Sequence, residues 1–311
     1  MLLNILFVVI GIALVLWGAD RLTDGAVAVA EKMKMPQIVI GLTVVAMGTS
    51  MPEFSVSLIS ALKGTTDLAV GNIVGSNIFN ALLIVGVSAL VAPMIIQETT
   101  VRKDIPFALV SSTLLLIMCL DGNISRLDAG VLFVMFLIFM YMTLKGAKKQ
   151  GAEQEAAVET GGKKEMATWL SVVWILVGLI CLIGGSNLFV EGATAVATNL
   201  GVSEAVIGLT IVAGGTSLPE LATSVVSARK GNSGIAIGNA LGSNVFNILA
   251  ILGVTGMITP MTLKGISSFD LSMLVISIIL VWLFSFTKYK IERWEGAVLT
   301  AVFVGYIYIL L

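Results

Sequence analysis

Two glutamates, Glu53 and Glu220, each close a Gly-Thr-Ser-x-Pro tract inside a long apolar run. An acidic group near the middle of a bilayer is costly unless it is paired, protonated or turned toward a wet cavity. No Lys or Arg stands at comparable depth, so a buried basic partner has no residue to supply it. A protonated Glu bonded to backbone remains a structural alternative. Two such glutamates brought together instead describe a site of about two negative charges, for which a cation is the counter-charge. Pro52 has no N–H to give the carbonyl of Gly48, and Pro219 does the same to Gly215, so a helix carrying either motif should break there. With glycines at 48, 214 and 215, the stretches Ala46–Thr49 and Ala213–Thr216 are predicted to unwind and turn carbonyl oxygens toward an ion.

Helical spacing gathers further oxygens. Thr49, Glu53, Ser57 and Ser60 share one face, as do Thr216, Glu220, Ser224 and Ser227, while Asn72, Ser76 and Asn80 are four apart and matched by Asn239, Ser243 and Asn247. For the second group packing is a further reading, and both are expected to hold: Gly71-x-x-x-Gly75 and Gly238-x-x-x-Gly242 let helices approach closely, while Ser76 and Ser243 with Asn80 and Asn247 present oxygens to the site. Carboxylate, hydroxyl, amide and main-chain oxygens suit hard cations such as Ca²⁺ or Na⁺, and do not suit zinc or copper. The chain has no histidine, which removes the commonest transition-metal ligand and proton shuttle.

The motifs are duplicated. Gly41-Leu-Thr-Val-Val-Ala-Met-Gly-Thr-Ser-Met-Pro-Glu53 recurs as Gly208-Leu-Thr-Ile-Val-Ala-Gly-Gly-Thr-Ser-Leu-Pro-Glu220, at an offset of 167. At the same offset, Gly71-Asn-Ile-Val-Gly-Ser-Asn-Ile-Phe-Asn80 recurs as Gly238-Asn-Ala-Leu-Gly-Ser-Asn-Val-Phe-Asn247, and the ungapped stretch from 41 to 80 holds 23 identities in 40 positions. Shared hydrophobicity does not produce that agreement. The register extends back through Gly18/Gly185, Asp24/Glu191 and Gly25/Gly192.

Helices must position these residues. Of 311 residues 57% are hydrophobic and 12% charged, against roughly a quarter charged in a soluble domain. The apolar runs predict ten spans, at about 2–19, 38–62, 68–92, 105–120, 128–144, 169–187, 205–228, 235–257, 269–286 and 294–311. Residues 1–144 form a first five-helix unit, 145–168 a polar linker, and 169–311 a second unit. Five is odd, so the second unit enters the membrane from the opposite side. The loops after spans 1, 3, 5, 7 and 9 hold 15 of the 18 Lys and Arg, which predicts a cytoplasmic linker and both termini outside. The N-terminus reads as a retained helix, having no basic segment before its apolar run. Cys119 and Cys181 read as membrane-buried hydrophobes. A net charge of −1 without a basic patch sets nucleic acid aside. The expected partners are the lipid bilayer and small cations, with no cofactor and no required protein partner.

Gly41–Glu53 and Gly71–Asn80, with their second copies, resemble the paired repeats of the calcium/cation antiporter superfamily, in particular prokaryotic sodium/calcium exchangers. The resemblance covers essentially the whole chain. It implies an all-α membrane protein with broken helices 2 and 7, and counter-transport of Na⁺ and Ca²⁺ by alternating access, with the first and sixth helices sliding on a rigid core. Carried over by position, Glu53 and Glu220 are the central carboxylates, with Thr49, Ser50, Thr216 and Ser217 beside them. The carbonyls of Ala46 and Ala213 and the side chains of Ser76, Ser243, Asn80 and Asn247 complete the implied ligand set. One departure is that some members carry an acid at the place of Asn247, opposite an Asn at the place of Asn80; here both are Asn. A short linker implies no calcium-binding regulatory domain. Coupling to H⁺ or K⁺ is an alternative, as is a passive cation channel; an enzyme is disfavoured because no nucleophile–base pair accompanies the glutamates.

Overall fold

Backbone polar groups have no water to bond in lipid, so apolar spans are driven to be helices. The structure is a computed structural model that describes residues 1–155, 166–201, 213–263, 265–286 and 288–310, with main chain alone at 148–155 and 213. Helix α1 is Leu2–Lys32. Helices α2, Gln37–Thr49, and α3, Met51–Leu62, follow one another with a bend of 47° between them. Then come α4, Thr66–Val91, α5, Thr100–Asp121, α6, Arg126–Glu155, and α7, Thr168–Asn199. The second half holds the short α8, Ala213–Thr216, α9, Leu218–Arg229, and α10, Ser233–Ile258, α11, Ser268–Phe286, and α12, Arg293–Leu310.

Among the described residues eight helices are long and apolar enough to cross a membrane, or nine if the bent α2–α3 pair is one span. Helices α8 and α9 take up the later part of the predicted seventh span; its earlier part, 205–212, lies outside the described residues, as do linker residues 156–165. The fold is that of an all-helical membrane protein with two very short ribbons that the apolar pattern does not announce. Strands Met94–Ile95 (β1) and Lys290–Ile291 (β4) pair antiparallel, as do Asn123–Ile124 (β2) and Met261–Thr262 (β3). The Met94↔Ile291 pair shifted by 167 becomes the Met261↔Ile124 pair, so the ribbons are copies of one another.

Three predicted boundaries move. The first span continues past residue 19 to Lys32, and the sixth past 187 to Asn199. Asp20, Arg21 and Asp24 satisfy one another along the helix instead of ending it, with Arg21 Nη2 3.1 Å from Asp20 and Nη1 3.7 Å from Asp24. Helix α6 likewise runs to Glu155 where the linker was expected from 145, because Ala, Lys, Gln and Glu favour helix without needing lipid.

Helices α4 and α10 form the centre, with 72% and 83% of their spanning windows buried, against 22% for α1 and α12. Helices α1 and α7 pack antiparallel, backbone to backbone, at glycines spaced by seven. A Cβ on Gly11 would meet the Gly185 carbonyl at 2.7 Å, and one on Gly18 the Gly178 carbonyl at 2.8 Å. Gly25 and Gly192 stand equally close to the carbonyls of Ser171 and Asn4. Residues of this pair join α2, α9 and α10 in a small apolar cluster, including Val15, Leu22, Val45, Leu182 and Ala222, separate from the main core.

Candidate cation site

The break in each motif is confined to one residue. Ser50 (φ −82°, ψ 11°) separates α2 from α3, and Ser217 (φ −91°, ψ 8°) separates α8 from α9. Pro52 and Pro219 fall in the first turn of the following helix, where a missing N–H costs nothing. The predicted unwinding of Ala46–Thr49 and Ala213–Thr216 is corrected, since both stretches are helical. In the first copy Ser50 N–H still reaches the Ala46 carbonyl (3.1 Å), and the irregularity is relieved upstream by a π-helical turn over Gly41–Val45.

This geometry puts Glu53 and Glu220 in the first turns of α3 and α9, each 1% exposed. A carboxylate is favoured there by the helix dipole. Each glutamate is held by the other copy's break residue. Ser217 Oγ donates to Glu53 Oε1 and Ser50 Oγ to Glu220 Oε1, both at 3.0 Å. Thr216 stands beside the Glu53 carboxylate and Thr49 beside that of Glu220, and the two carboxylates interact with each other. Ser76 Oγ lies 3.2 Å from Ser217 Oγ. The Ala46 carbonyl is engaged, accepting from Ser50 N–H, with Thr49 Oγ1 3.3 Å away. Ala213 opens α8, and its side chain is outside the described set.

Asn80 and Asn247 lie within π-helical turns, Phe79–Ile84 and Phe246–Ile251, a distortion common at functional positions. Glu53 Oε2, Glu220 Oε2, Asn80 Oδ1, Asn247 Oδ1 and Ser243 Oγ are all buried and find no hydrogen-bond partner among the described residues. Among the described residues no basic side chain pairs with either glutamate. Leaving a buried acceptor unsatisfied costs about 1–3 kcal/mol, more for a charged one. Four of the five oxygens are pure acceptors, which a hard cation can satisfy.

Four amides that the sequence reading left out of the ligand set hold this arrangement. Asn239 Nδ2 donates to the Glu220 carbonyl (3.1 Å) and Ser224 Oγ (3.0 Å), while its Oδ1 accepts from Thr49 Oγ1 (3.0 Å). Asn72 Nδ2 repeats this on the Glu53 carbonyl (3.3 Å) and Ser57 Oγ (3.0 Å). At the centre Asn77 Nδ2 donates to the Asn244 carbonyl (3.3 Å) and Asn244 Nδ2 to that of Asn77 (3.2 Å), and Asn247 Nδ2 adds a bond to Asn77 Oδ1 (3.1 Å). The signal for them was the duplicated Gly-Asn-x-x-Gly-Ser-Asn, in which both amides recur at the same offset.

A hydrogen bond to a charged acceptor contributes roughly 1.5–3 kcal/mol. Ser217→Ala, which strips Glu53 of its donor, is therefore expected to weaken the half-saturating concentration for the transported cation by about tenfold or more, measured by isotope uptake in proteoliposomes.

Two buried carboxylates in a helical membrane protein, each held by a serine of the other copy and neither paired with a basic side chain among the described residues, are the arrangement expected of a transporter of hard cations. The chain belongs to the sodium/calcium exchanger protein family, whose model matches residues 3–145 and 170–311. That membership makes it an antiporter and not an enzyme. It is 36% identical to the putative antiporter CaxA of Alkalimonas amylolytica, over 100% of this chain and 99% of the relative. It is 37% identical to the inner membrane protein YrbG of Escherichia coli, over 98% and 95%. A solved structure of the sodium-calcium exchanger NCX_Mj superposes with a TM-score of 0.87 at 30% identity, covering 100% of this chain and 99% of that one.

Proposed function

We propose that this protein exchanges Na⁺ for Ca²⁺ across the cell membrane by alternating access, with inward sodium flow driving calcium out. The observation that carries the reading is the set of buried, unpartnered oxygens on Glu53, Glu220, Asn80, Asn247 and Ser243. Two carboxylates neutralise one Ca²⁺ or two Na⁺, so occupancy by one ion excludes the other. Exchange then follows from charge balance at one site. Thr49, Ser50, Thr216, Ser217 and Ser76 complete the coordination with their hydroxyls, together with the carbonyls of Ala46 and Ala213.

The architecture that serves this is ten spans in two inverted five-helix units, 1–144 and 169–311, joined by a cytoplasmic linker over 145–168 with both termini outside. The reciprocal bonds between copies support it, because Ser50–Glu220 and Ser217–Glu53 exchange roles, as do Asn77 and Asn244. The charge bias of the loops supports the orientation, and the likeness to an inner membrane protein supports the location.

The test is ⁴⁵Ca²⁺ uptake into proteoliposomes loaded with Na⁺, with K⁺ and pH varied on each side. Uptake that requires internal Na⁺ and nothing else is the expected result. Uptake without trans Na⁺ would establish a passive pore, and a requirement for K⁺ or a proton gradient would replace the coupling ion.

A further inference from the structure

The copies match closely within the core, yet they differ in how the α1–α7 pair is fastened to it. Lys230, the residue that caps α9, reaches Asp20 Oδ1 at 2.5 Å and Asp24 Oδ1 at 2.7 Å on α1, and also donates to the Asp20 carbonyl (3.2 Å). Thr23 on α1 adds a hydroxyl contact of 2.9 Å to Ser227 on α9. Arg21 flanks the same acids, with its guanidinium over the Trp17 and Trp174 rings. Shifted by 167, Lys230 becomes Lys63, which caps α3, while Asp24 becomes Glu191 and Asp20 becomes Asn187 on α7. Lys63 and Glu191 are both exposed, and among the described residues they form no ion pair. The second set has the charges without the contact.

We infer that these are two alternating latches: Lys230 on Asp20 and Asp24 holds α1 to the core in the conformation described, and Lys63 on Glu191 holds α7 to it in the opposite one. The inference rests on the alternating-access reading above and adds what sets its balance. When two repeats exchange conformations, the helix pair takes up toward one half of the core the relation it had with the other. A shift of one helical turn, about 5.4 Å, separates Lys230 from its acids and brings the equivalent groups together. The latches are unequal, because Lys230 meets two carboxylates where Lys63 meets one, Asn187 standing at the place of the second. The ion-free protein therefore rests in the conformation held by Lys230, and a bound ion need shift the balance only by that difference.

The experiment is double electron–electron resonance on purified protein in nanodiscs, with spin labels at Leu3→Cys on α1 and Leu127→Cys on α6 in a Cys119→Ala, Cys181→Ala background. Two distances are expected, one for each conformation. Lys230→Gln should move their ratio away from the described conformation by about two- to fivefold, the range open to partly exposed ion pairs. Lys63→Gln should move it the other way. Asn187→Asp, which adds the missing acid at an exposed position, should mimic Lys230→Gln without removing any contact of the described state, so a folding defect in Lys230→Gln cannot imitate the result. Shifts of the same sign for Lys230→Gln and Lys63→Gln, or an unmoved ratio in all three variants, would overturn the latches. If ions still shift the distances in those unmoved variants, alternating access survives; a single distance under every ion condition would overturn both.

Discussion

Glu53→Gln and Glu220→Gln are each expected to lower sodium-driven calcium uptake by about 100-fold or more while leaving the protein folded. Removing one partner of a buried, desolvated charge pair costs roughly 2–5 kcal/mol, and each 1.4 kcal/mol is about a factor of ten in affinity. Glutamine keeps the shape, and its carbonyl can still accept from Ser217 or Ser50. What it removes is half of the negative charge that a divalent cation requires. The same change relieves the empty protein of a buried carboxylate that no basic group among the described residues neutralises. Either variant should therefore melt at the same or a higher temperature than the parent without ions, and should lose the rise in melting temperature that Ca²⁺ gives the parent. Loss of uptake with a collapsed melting temperature would instead mean that the glutamates hold the fold.

The second large effect lies in packing. Gly242 faces α2 so closely that a Cβ would meet Leu42 Cα and its carbonyl oxygen at 2.7 Å and Ala46 Cβ at 2.8 Å. Gly238, one turn earlier, would meet the Ile38 carbonyl at 2.8 Å. Backbone atoms cannot rotate aside, so Gly242→Val must push α2 from α10. Overpacking of this kind costs about 1–3 kcal/mol, and here the displaced strip carries Thr49 and Ser50 away from Asn239 and Glu220. The expected outcome is a lowered melting temperature together with loss of exchange in whatever protein remains folded. Gly305→Ala, where an added Cβ meets nothing within 4 Å, should leave both unchanged in parallel thermal-shift and uptake measurements.

The candidate site could be proposed from the sequence because its chemistry is doubled. A glutamate after Gly-Thr-Ser-x-Pro inside an apolar run is unusual once, and its return 167 residues later ties both copies to one centre. The break was legible through Pro52 and Pro219, but its form was not. Proline dictates that one carbonyl loses its donor, whereas the backbone absorbed the loss in a single non-helical serine and a π-helical turn over Gly41–Val45. Helix ends were misread wherever charge stood in for a boundary. Asp20, Arg21 and Asp24 look like a loop in a hydropathy profile, yet they pair within α1 and with Lys230 as the helix runs on. Asn77 and Asn244 were visible only as letters in a motif, since the exchange of amide and carbonyl between copies depends on how α4 and α10 meet. The ribbons escaped notice because two-residue strands carry no periodicity.

The two carboxylates answer most directly to anomalous diffraction at long wavelength from crystals grown with Ca²⁺. The account predicts one dominant peak between Glu53 and Glu220, about 2.3–2.6 Å from an oxygen of each, with serine, threonine or asparagine oxygens closing the shell. A calcium ion bound elsewhere while both glutamates stay dry, or a lysine or arginine found bonded to either one, would contradict it.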